Sequence, residues 1–223
     1  MKKTVVGSGA PVGEAKPARR PRGRPRSFDR DAALDTAMEV FWEKGFEATS
    51  ISDLTQAMGL NPPSLYSAFG DKEGLFIEAV ERYASGNNQS CPYAGEPTAR
   101  AAIERLLRYS AHELTETSHP RGCLMAMATA TAANSSERLQ KVIAQKRSSA
   151  REHLRERIKQ GVKDGDVPAG TDVNALADFY FTILSGMSMQ AREGATRKSL
   201  LATVEQAMSL FPKAQRKVSP AIA

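Results

Sequence analysis

Ser64, Tyr66 and Ser67 fall within one turn of each other in Asn61-Pro62-Pro63-Ser64-Leu65-Tyr66-Ser67-Ala68-Phe69. On a helix they cannot all pack inward alongside Leu65 and Phe69. Outward hydroxyls can meet base edges in a major groove or phosphate oxygens, and Thr49 offers another to a phosphate. A second chemistry lies upstream in Arg19-Arg20-Pro21-Arg22-Gly23-Arg24-Pro25-Arg26. Arginines on a mobile arm neutralise phosphates and enter narrow minor grooves, and Arg24 and Arg26 stand nearest the hydroxyl-bearing segment. Both features have plainer readings, a solvated helix face and a solubilising tail.

The hydroxyls need a rigid mount, and the apolar spacing supplies one. Residues 1–27, rich in Gly, Pro, Arg and Lys, lack the large apolar side chains that offset folding entropy and read as a mobile basic arm. Asp29 caps a first helix carrying Leu34, Ala37 and Phe41, which Gly45 stops. Ser50 caps a second with Ile51, Leu54 and Met58, ended by Gly59. Asn61 caps a third, with Pro62 and Pro63 where backbone N–H groups lack helical partners, and Gly70 closes it. The second and third helices around a tight turn make a bacterial-type helix-turn-helix over about residues 50–69, within a head spanning 28–88. A fourth helix starts near Asp71 and carries Leu75, Phe76, Ala79, Val80 and Tyr83.

Ser85 to Pro97 reads as a linker. Five further helices follow over 98–212: one with Ile103, Leu106, Leu107 and Leu114; a short one within Gly122–Ala133, apolar on every side and therefore buried; and a long one from Leu139, ending by Gly161. The last two centre on 172–192 and 198–211, before a tail at 213–223. Nothing reads as a strand, so the expected fold is all-α: a three-helix reading head joined to a larger C-terminal helical domain.

Charge is unevenly shared. Residues 1–30 hold nine Lys/Arg against two acids, residues 31–80 two against nine, and the remainder twenty against fourteen, within a net charge of +6. The arm thus sits beside an acidic head and can provide the cations that phosphate binding needs. No apolar run approaches the ~20 residues of a membrane-spanning helix, and the location expected is the cytoplasm. No phosphate-loop lysine, HExxH, nucleophile elbow or dinucleotide fingerprint appears, so an enzyme is not expected and no cofactor is assigned. His112, His119 and His153 share no metal-ligand spacing, and no metal is assigned.

Gly45-Phe46-Glu47-Ala48-Thr49-Ser50-Ile51, followed by the run from Gly59 through Asn61, Tyr66 and Asp71-Lys72-Glu73-Gly74 to Leu75, resembles the TetR family of transcriptional repressors. The resemblance implies an all-helical homodimer on a palindromic double-stranded DNA operator, with repression relieved by a small-molecule effector. Carried over by motif position, Thr49, Tyr66 and Lys72 would grip phosphates, while Pro63, Ser64 and Ser67 would face the groove floor. Two departures leave the operator sequence open: Pro63 stands where the family usually has Gly, and Ser67 where a larger His or Tyr is common.

For the C-terminal domain the residues alone say less. The last two helices either pair with their copies in a four-helix bundle or fill an internal core. A cavity would fall among Leu106, Tyr109, Cys123, Met125, Met127, Phe179 and Ile183, since Met and aromatics line adaptable apolar sites, although each also reads as plain core packing. Cys123 reads first as a buried inert thiol and second as a sensor resolved by Cys91. An architectural protein that coats DNA without sequence preference is the competing function.

Overall fold

The computed structural model describes residues 28–88, 95–131 and 135–213. Among them run α1 (Arg30–Lys44), α2 (Ile51–Met58), α3 (Pro62–Phe69), α4 (Lys72–Asn88), α5 (Ala99–Glu113), α6 (Leu124–Thr131), α7 (Glu137–Asp164), α8 (Val173–Arg192) and α9 (Arg197–Ser209), with no strand among the described residues.

The first three helices begin where the sequence places their caps. The Asp29 carboxylate accepts from the N–H groups of Asp31 and Ala32, and Gly45 ends α1 at φ 81°. Ser50 and Asp53 form a reciprocal capping box on α2, the arrangement that satisfies two otherwise orphaned N–H groups. Lys44 reaches across from α1 to Asp53 at 2.6 Å, and it leads the Ser50 contacts in holding that carboxyl well below the usual carboxylate range. Gly59 turns the chain at φ 64°, a left-handed conformation that favours glycine. Asn61 then accepts from the Ser64 N–H at 2.9 Å, so α3 starts with two prolines and a capped first turn.

Two cores hold the chain. The first gathers Phe41, Phe46, Leu54, Leu65, Leu75 and Phe76, with Phe41 edge-on to Phe76 at 4.8 Å. It also takes in Leu124 and Ala128 of α6 and Leu139 and Ile143 of α7, so the helix-turn-helix shares one interior with the helices that follow it. The second lies between α5, the C-terminal part of α7, α8 and α9. At its centre the fully buried Tyr180 donates its hydroxyl to the Ala207 carbonyl at 3.0 Å, and burial pushes the phenol up to about 12.

Three local readings change. The helix read as ending by Gly161 continues to Asp164, and Gly165 ends it at φ 79°. Gly161 marks a close approach instead: a Cβ there would lie 2.5 Å from the Ala99 Cβ and 2.6 Å from Asp166 Oδ1. Gly161→Ala should therefore destabilise the fold by about 1–3 kcal/mol, the usual cost of overpacking, measurable by urea unfolding. Helix α4 continues through Ser85 and Gly86 to Asn88, because extending an existing helix is far easier than starting one. Helix α6 is not buried all round; Leu124 and Ala128 are, while Met125, Ala126 and Met127 are partly exposed and Thr129 is exposed.

Candidate nucleic-acid interface and adjoining cavity

Helix α3 turns Leu65 and Phe69 inward and leaves Pro63, Tyr66 and Ser67 exposed and Ser64 half-buried. Tyr66, at 47% exposed, is one of the few large apolar side chains on the surface of the described residues. Nothing in the core requires it there. Tyr66→Ala should leave thermal stability within about 0.5 kcal/mol of the parent, as surface changes do, and weaken operator binding roughly tenfold or more in a gel-shift titration.

Thr49 and Lys72 are built into the mount. The Thr49 side chain is 1% exposed and donates its hydroxyl to the Gly45 carbonyl at 2.6 Å. It does not reach the surface as an outward phosphate ligand; a short β-branched side chain at this buried bend finds its partner in the chain itself. The Lys72 ammonium donates to the carbonyls of Phe46 and Thr49, each at 3.0 Å, and lies 4.4 Å above the Phe46 ring. An ammonium has three N–H donors, and two of them fix the loop that leads into α2. Arg24 and Arg26 lie outside the described residues.

Arg30 is a residue that sequence reading passed over. Its guanidinium donates to both oxygens of Glu78, at 2.7 and 2.6 Å, and to the Ala68 carbonyl at 3.2 Å. It also lies 4.4 Å from the centre of the Phe69 ring. One side chain at the start of α1 thereby ties the end of α3 to α4. An arginine in a basic stretch gives no linear signal of such a role.

Behind the head lies a cavity of about 560 Å³, within the range of small-molecule sites. Leu106, Tyr109, Cys123 and Met125 line it as the sequence suggests, whereas Met127, Phe179 and Ile183 do not. Helix α8 turns Phe181, Leu184, Ser185 and Ser188 to the cavity, and Phe179 and Ile183 fall on its other side. Met127 is likewise rotated away from Met125 on α6. Cys123 is half-buried, with its backbone N–H held by Ser188 Oγ at 2.8 Å; Cys91 lies outside the described residues.

Sequence reading missed the head's share of the lining. Trp42 of α1 and Tyr83 and Ala84 of α4 form part of the wall. Trp42 stacks on His119 at 4.6 Å and meets Tyr83 edge-on at 4.9 Å. Beside them Arg192, at the end of α8, donates to the carbonyls of Glu43 and Arg121 and lies 3.6 Å from the Glu43 carboxylate. The cavity walls thus include the two helices that carry the helix-turn-helix.

Two family models match: "Bacterial regulatory proteins, tetR family" over residues 33–79, and "Tetracyclin repressor-like, C-terminal domain" over 95–208. The chain is 34% identical over 198 residues to the HTH-type transcriptional repressor ComR of Escherichia coli K12, covering 87% of this chain and 94% of ComR. It is 29% identical over 182 residues to the repressor BdcR of the same organism, covering 79% of this chain and 86% of BdcR. Among solved structures, a cysteine mutant of the TetR family regulator CifR complexed with 26 bp double-strand operator DNA superposes with a TM-score of 0.81 at 43% identity, over 85% of this chain and all of that one.

Proposed function

The chain belongs to the tetR family of bacterial regulatory proteins, and on that basis we propose that this DNA-binding transcriptional regulator is a homodimeric repressor released from a palindromic operator by a small molecule. Residues 28–88 serve as the reading head, with α3 in the major groove and Pro63, Ser64, Tyr66 and Ser67 towards the DNA. The arm supplies cations that the acidic head lacks. Residues 98–212 hold the dimer contact and most of the effector site, which Trp42 and Tyr83 of the head complete, and the protein works in the cytoplasm, where the chromosome is.

The observation that carries the reading is the shared cavity. A ligand pressing on Trp42 and Tyr83 presses on α1 and α4, and so on the mount of α3. Only a ligand that prefers one arrangement of those helices shifts the balance between DNA-competent and released states. Apolar side chains left partly or fully exposed at this end of the chain support the homodimer: Phe179, Ile183 and Met189 on α8, Leu201 on α9, and Leu210, the residue that caps α9, at 68% exposed. Pairing these helices with their copies covers those side chains and gives the two-fold symmetry that a palindrome mirrors.

Selection of bound sequences from random duplexes tests the reading. An enriched inverted repeat, with half-sites about one helical turn or more apart, is the expected result. Salt-sensitive binding without any enriched motif would instead indicate an architectural protein.

A further inference from the structure

Among the described residues, the cavity's polar groups that lack a counter-charge or an acceptor are weighted towards donors and positive charge. Arg147, on α7, lines it half-buried, and burial lowers its tendency to hold a proton. Its hydrogen-bond contact is a long one, 3.4 Å to Ser185 Oγ, and its guanidinium otherwise lies 4.8 Å from the Phe181 ring. No carboxylate among the described residues pairs with it. Arg151, one turn further along and also over Phe181 at 5.0 Å, differs in having Asp178 at 3.3 Å. A partly desolvated guanidinium without a counter-ion is costly unless something else supplies the charge.

Two more groups point the same way. Among the described residues, Lys146 lines the cavity without an acidic partner, and Trp42, itself 6% exposed, holds a buried indole N–H without an acceptor. The remaining titratable wall groups are His119, His153, Tyr83, Tyr109, Cys123 and Glu113. Glu113 is the one carboxylate among them, and its contact is His112 at 3.5 Å. Around these polar groups the wall is apolar, from Leu106, Met125, Phe181 and Leu184.

We infer that the effector is an amphipathic anion, an organic carboxylate or a group of like charge, whose acidic end is held by Arg147 and whose hydrocarbon body fills the apolar part of the cavity. This rests on the ligand-controlled reading above and deepens it by giving the effector's charge. Arg147 also borders a shallower groove with Gln140, Ile143 and Arg151, so the test must locate the ligand as well as weigh it. Trp42, the chain's single tryptophan, lines the cavity and not that groove.

Three probes that share one chain length and differ in head group decide the matter: decanoate, decan-1-ol and decyltrimethylammonium, titrated by calorimetry into the full chain without DNA while Trp42 emission is followed. Decanoate should bind about tenfold or more tightly than the alcohol, tighter still than the cation, and should change the emission. R147Q should bring decanoate down to the affinity of decanol while decanol binding stays as in the parent, which also shows that the variant is folded. R147K should keep most of the preference. Equal or tighter binding of the alcohol or the cation, a preference that survives R147Q, binding silent to Trp42, or no binding of any probe would each overturn the assignment. Operator release is read separately, by gel shift on the selected duplex. If decanoate binds with the stated preference but leaves the operator complex intact, ligand-controlled repression fails while the charge assignment stands.

Discussion

Replacing Phe41 with alanine is expected to remove about 3–5 kcal/mol of stability, the range for truncating a fully buried aromatic residue. Phe41 is 0% exposed and meets Phe76 at 4.8 Å and Phe46 at 6.3 Å. It holds α1 to α4 and to the loop that Lys72 and Thr49 brace. Because Leu124 and Ile143 belong to the same core, the loss reaches beyond the head to α6 and α7. Urea unfolding followed by helical circular dichroism measures it. A shift below about 1 kcal/mol would mean that this site collapses around the missing ring and that the first core is looser than its aromatic contacts indicate.

Deleting residues 1–26 carries the largest expected effect on DNA binding. The segment holds Arg19, Arg20, Arg22, Arg24 and Arg26 beside a stretch, 31–80, with two cations against nine acids. Each phosphate neutralised adds about 0.9 to the slope of log affinity against log salt. If three or more of these arginines reach phosphates, the slope flattens by roughly 3 and affinity near 100 mM salt falls about a hundredfold or more. Titrations of one operator at several salt concentrations give both numbers. An unchanged slope would remove the arm from the mechanism and leave Lys72 as the cation of the interface.

Much of the head was legible because its signals are local. Asp29, Ser50 and Asn61 sit where capping chemistry places them, and Gly45 and Gly59 adopt the positive φ that their positions ask for. The inward pair Leu65 and Phe69 fixes by helical period which residues of α3 face out. Gly161 shows where such reasoning stops: a glycine late in a helix reads as a stop, yet here it admits the start of α5, a contact 62 positions away along the chain. Thr49 and Lys72 were legible as polar residues in the right loop, but which atoms they would engage depends on carbonyls that the fold brings within 3.0 Å.

The cavity was legible only in part for a related reason. Tyr109, Cys123 and Met125 follow from residue type and helical spacing, whereas Trp42 and Arg147 join the wall because α1 and α7 pass the same space. Periodicity reports which way a side chain turns from its own helix, not which helix stands opposite. Phe179 and Ile183 illustrate the converse: their spacing is that of a packed stripe, and here it lies on the face of α8 away from the cavity.

The most direct test of sequence-specific control is a titration of the full chain against its selected operator and against a shuffled duplex of the same length and composition, at one physiological salt concentration. The expected result is a preference of about a thousandfold or more for the operator, lost progressively as base pairs in either half-site are changed. Equal affinity for the two duplexes would contradict it, and would leave α3 a support against the phosphate backbone instead of a reader of sequence.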